Sequence, residues 1–156
     1  MFQRLYRVRE LTQETEESAT ASKVAAIVAT LTIPTIALME LECDALPTAL
    51  KAKLVSYLHG FCVPICVAWQ VDDLKTRIAA SRLVSASIFP ENPALFLELF
   101  DGMIVAPEAF RNDVNAGRRD GELYSATGRT GTALLEILAS DFRGFCNHSK
   151  LAPKAL

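Results

Sequence analysis

Residues 44–60, DALPTALKAKLVSYLHG, carry the punctuation of a helix. Asp44 is suited to cap the free amides of a first turn, Pro47 sits where a missing N–H costs little, and Gly60 stands where a helix tends to stop. Along this stretch and just past it, Leu46, Leu50, Leu54, Leu58 and Phe61 recur at helical spacing with Tyr57 beside them. Lys51, Lys53, Ser56 and His59 take the other side, so the stretch reads as an amphipathic helix.

The same asymmetry appears twice more. Asn92-Pro93 to Gly102 marks a second such segment, where Phe96, Leu99, Phe100 and, just past the glycine, Met103 fall at i, i+3, i+4 and i+7, while Leu95 and Leu97 lie off that stripe. A helix apolar nearly all round belongs in a core or an interface. Pro107 to Gly117 places Phe110 and Val114 one turn apart.

Further out, Val24, Ile27, Val28 and Leu31 share a helical face until Pro34. Val67, Val71, Leu74 and Ile78 give residues 64–88 a helical period, and Leu135, Leu138, Phe142 and Phe145 do the same for a C-terminal helix. The charged segment Arg4 to Glu17 reads as a solvated helix.

The expectation is an all-α fold, an irregular bundle of about six helices spanning residues 1–145, with a loose tail over 146–156. The alternative is an α/β fold with strands near 35–42 and 64–71, where short apolar runs fit either period. Helix is preferred because no glycine lies between Phe61 and Asp101, whereas a sheet needs turn signals there.

Four of the seven glycines fall in residues 117–131, GRRDGELYSATGRTG. This composition predicts a long surface loop before the C-terminal helix. Arg118, Arg119 and Arg129 would offer positive charge to an anion, with Thr130 and Thr132 at a helix start whose free amides favour negative charge. The segment matches neither phosphate-binding glycine pattern.

His59, Cys62 and Cys66 are spaced H-x2-C-x3-C, and Cys146-Asn-His148 adds a second pair. These are zinc-ligand residue types at loose spacing, with Pro64 between the first two cysteines and apolar neighbours around them. Ordinary buried thiols account for them more simply, and no metal or cofactor is assigned. With two histidines in the chain and no nucleophile or paired-carboxylate motif, the residues supply no catalytic constellation.

Apolar residues make up 51% of the chain and charged residues 22%, with a formal net charge of −2. That balance excludes a strongly basic nucleic-acid binder, though local arginines at Arg4, Arg7 and Arg9 keep a nucleic-acid-binding regulator as an alternative. The apolar excess points to surface covered by a protein partner, self-association being the simplest. The functional expectation is a non-catalytic adaptor, chaperone-like or regulatory domain acting as a homo-oligomer through Phe96, Leu99, Phe100 and Met103. The alternative from another class is a small-anion or nucleotide-binding protein using residues 117–131. Val24 to Met39 and Leu54 to Val71 lack charge, but both are short and punctuated for membrane helices, so buried core helices are preferred. The charged start, MFQRLYRVRELTQETEE, is unlike a secretory signal, so reduced thiols and a cytoplasmic location are expected.

Overall fold

The computed structural model describes residues 2–70 and 73–140, with side chains from Ala19 onward. Its described residues form five α-helices, α1 (Phe2–Leu38), α2 (Thr48–Ala68), α3 (Leu74–Ile88), α4 (Leu95–Val105) and α5 (Pro107–Thr127). A 3-10 turn, Cys43–Ala45, precedes α2, and residues 133–140 are helical. The protein is all-helical, and no strand occurs among the described residues. The runs at 35–42 and 64–71 are helical as far as Leu38 and Ala68, which removes the α/β alternative.

α2 is the centre of the fold. It packs most extensively on α5, and also on α3, α1 and α4. Leu50, Leu54, Tyr57, Leu58 and Phe61 are buried as their spacing implies. The supposed polar side is partly covered too. Ser56 is buried, its hydroxyl satisfied by the Ala52 carbonyl at 2.7 Å, and His59 faces α3. The helix begins after Pro47, with Asp44 in the 3-10 turn rather than at the cap.

Gly60 does not stop α2, and Gly117 does not stop α5, because both glycines are contact points between these helices. A Cβ on Gly60 would lie 2.0 Å from the Val114 carbonyl oxygen, and one on Gly117 would lie 1.9 Å from that of Tyr57. On Gly121 it would meet the Pro64 ring at 2.7 Å and the Phe61 carbonyl at 2.8 Å. Tyr57 faces Gly117 and Phe61 faces Gly121, so the two helices run parallel, with backbone against backbone. The absence of side-chain atoms at these positions permits that approach. Residues 117–127, expected as loop, are therefore the second half of α5. The connection is confined to residues 128–132, opened by Gly128 in the left-handed conformation (φ 70°) with its N–H on the Tyr124 carbonyl.

The predicted helix over 64–88 is divided. α2 ends at Ala68 and Gln70 turns the chain at φ 60°. Asp73 then caps α3 by accepting from the Lys75 amide at 3.1 Å and the Thr76 hydroxyl at 3.2 Å. α3 folds back antiparallel on α2, setting Ser81 against His59.

α1 continues through Pro34, which lies on its exposed side. Val24 and Val28 are fully buried, and Thr32 is buried with its hydroxyl on the Val28 carbonyl at 2.7 Å. Lys23 sits over the Trp69 ring at 5.8 Å. Leu31 and Thr35 lie near Tyr57 and Phe61, so α1 runs antiparallel to α2. In the last helical stretch Leu134 and Leu138 are buried while Leu135 is exposed, and Phe142 and Phe145 lie outside the described residues. Ala19–Leu38 and Thr48–Ala68 are long and apolar enough to cross a membrane by length and composition alone, and the second is mostly buried within the fold.

Candidate functional site

α4 is apolar on both sides, and the structure decides which side faces in. Phe96 is fully buried and Met103 nearly so, while Leu99 and Phe100 are half-buried. The four residues expected to meet a partner are therefore packed into or against the core. The outward residues are Leu97 (42% exposed), Ile104 (63%) and Val105 (84%). Leu97 and Ile104 are seven residues apart and share a face, interrupted by Asp101. Leu97 was visible in the sequence as a residue off the main stripe. Ile104 and Val105 lie beyond Gly102, where the glycine seemed to close the helix.

Between α4 and α5 lies a cleft of about 280 Å³. Phe100 and Ile104 line it from α4, Phe110, Arg111 and Val114 from α5, and His59 from α2. The His59 ring lies 5.4 Å from that of Phe96 and 5.9 Å, edge-on, from that of Phe100. Its Nδ1 is 2.8 Å from the Ser81 hydroxyl oxygen, and that hydroxyl donates to the Arg77 carbonyl at 2.8 Å. Burial and the nearby Arg77 guanidinium push His59 below the ordinary imidazole range, favouring the neutral ring. Arg111, at the mouth, is paired with Glu108 one turn before it.

The arginines expected to gather around an anion belong to two different segments, α5 and the connection after it. Arg118 and Arg119 are exposed on α5, Arg118 donating to the side-chain Oδ1 of Asn115 at 3.0 Å. Arg129 lies outside α5, after the turn that Gly128 makes at φ 70°. Thr130 and Thr132 are exposed, and the Thr132 hydroxyl donates to Glu136 at 2.8 Å. A carboxylate of the chain itself thus occupies the start of the last helical stretch.

Cys62 and Cys66 are buried one turn apart on α2. Burial pushes both thiols up, Cys62 to about 12, which favours the protonated form over the thiolate a metal would need. Among the described residues no group of three or more His, Cys, Asp or Glu is placed to hold a metal. Cys146 and His148 lie outside the described residues.

One constellation had no signal in the sequence. Asp120 of α5 is buried and accepts from the Tyr57 hydroxyl of α2 at 2.7 Å. Its other carboxylate oxygen lies against Gly131, where a Cβ would approach to 2.0 Å. The pair adjoins a cavity of about 250 Å³ between α1, α2 and residues 130–135. The contact joins positions 63 residues apart, and Asp120 falls in the stretch expected from the sequence to be a surface loop.

No protein-family model matches this chain, and neither does any curated protein or any solved structure.

Proposed function

We propose that the chain is a non-catalytic interaction domain, regulatory or adaptor-like, that associates with further copies of itself through the outer face of α4. The observation that supports this reading is the exposure of Leu97, Ile104 and Val105 on a helix whose opposite side, Phe96 and Met103, is already in the core. Burying such side chains against a second copy is favourable by about 25 cal/mol per Å² of apolar surface. The buried, protonated thiols of Cys62 and Cys66 suit a reducing compartment, the cytoplasm.

Sedimentation velocity tests it. The wild-type chain sediments as a dimer or larger species at high micromolar concentration, and the Leu97→Lys, Ile104→Lys double variant shifts to monomer with its helical circular dichroism unchanged. A wild-type chain that stays monomeric at that concentration overturns the proposal.

A further inference from the structure

We infer that the α4–α5 cleft binds a small aromatic molecule carrying one N–H or O–H donor, of the indole or phenol class, with His59 Nε2 as its hydrogen-bond acceptor. The proton accounting around His59 leads there. A serine hydroxyl carries one hydrogen, and Ser81 spends it on the Arg77 carbonyl one helical turn back. With its hydrogen on the Arg77 carbonyl, Ser81 presents a lone pair to His59, and the ring tautomer that matches it has the proton on Nδ1. In the neutral ring Nε2 is then a bare acceptor, and it has no hydrogen-bond donor among the described residues. His59 lines the cleft.

The walls define the rest of the ligand. Phe100 and Phe110 are aromatic, and Ile104 and Val114 are aliphatic. At the mouth Glu108 already offsets the charge of Arg111, so a neutral guest is favoured over an anion. A cavity of roughly 150 Å³ can hold benzene, so 280 Å³ has room for one bicyclic ring. Such a guest stacks on the phenylalanine rings and satisfies Nε2 with its donor. A guest of equal shape without a donor would strip water from Nε2 and return nothing.

This inference is independent of self-association, and its test reads ligand binding on the full chain. Indole and benzothiophene, nearly equal in shape and differing in the N–H, are titrated by calorimetry, with the imidazole nitrogens of His59 followed by NMR. Indole binds saturably and shifts the Nε2 resonance, while benzothiophene binds about tenfold more weakly. In His59→Phe the preference for indole vanishes, and if that variant does not fold the ligand pair on the wild type still decides. Ile104→Trp, which fills the mouth, weakens both ligands. Equal affinities for the two, no binding of indole up to its solubility, or indole binding that leaves the His59 nitrogens unmoved each overturns the inference.

Discussion

The Tyr57 hydroxyl donates to the Asp120 carboxylate at 2.7 Å, inside the fold, tying α2 to α5 where their backbones touch. Burial and the adjacent carboxylate hold the phenol far above its usual range, so it remains a donor at any working pH. Tyr57→Phe keeps the ring and leaves a buried carboxylate oxygen without its donor. The expected loss is about 2 kcal/mol in urea denaturation. A Tyr57→Phe, Asp120→Ala double-mutant cycle should show a positive coupling; additive losses would mean that the two groups do not stabilise each other.

The glycines inside the described helices separate into two kinds, and alanine substitution distinguishes them. Gly117→Ala sets a methyl 1.9 Å from the Tyr57 carbonyl oxygen, a backbone atom that cannot swing aside, so the helices must part. It should cost about 1–3 kcal/mol despite the better helix propensity of alanine. Gly102→Ala on α4 meets only the Phe110 ring at 3.5 Å, an ordinary contact, and should stabilise by about 0.5–1 kcal/mol. Thermal unfolding of the two variants side by side checks the contrast, and a shift of the same sign in both contradicts the packing described for Gly117.

Stability should fall on mild acidification, and His59 should account for part of the slope. Its pKa is depressed below the ordinary 6.5 in the folded chain, so the unfolded chain binds more protons between the two values. Stability therefore rises with pH across that window; it is held above about pH 6.5 and lost as pH drops toward the folded pKa. Asp113, raised by burial against the pull of Lys53, contributes with the opposite sign. It is present in both proteins when wild type is compared with His59→Gln, so it drops out of the difference. Urea midpoints from neutral pH downward should slope less in the variant; parallel slopes would mean that His59 is as well solvated folded as unfolded.

Thiol reactivity should follow exposure. Cys43 is half-buried and raised by burial and by Asp44, whereas Cys62 and Cys66 are buried on α2. Iodoacetamide applied to the native protein should label Cys43 before Cys62 and Cys66, and the latter two should react only as fast as the fold opens. Peptide mapping by mass spectrometry reads the order directly. Early modification of Cys62 would place α2 nearer the surface than described.

The helical class, the apolar stripe of α2 and the start of α5 at Pro107 were legible in the sequence, because each rests on interactions within a turn or two of chain. Leu50, Leu54, Leu58 and Phe61 repeat at 3.6 residues and are buried accordingly. The stops were less legible. Gly128 ends α5 by adopting φ 70°, while Gly60, Gly117 and Gly121 sit inside helices. Residue type is the same in both cases, and only the arrival of a second backbone tells a stop from a crossing. Gln70 ends α2 with no glycine, against local preference.

What the sequence by itself determined is the set of amphipathic and apolar helices, since periodicity, proline and capping chemistry act locally. Which side of α4 turns inward, which glycines receive a neighbouring helix, and that Tyr57 meets Asp120 were decided by tertiary structure. Each is a contact between segments far apart in the chain, and a helix apolar all round, such as α4, carries no local preference that would choose its inner face.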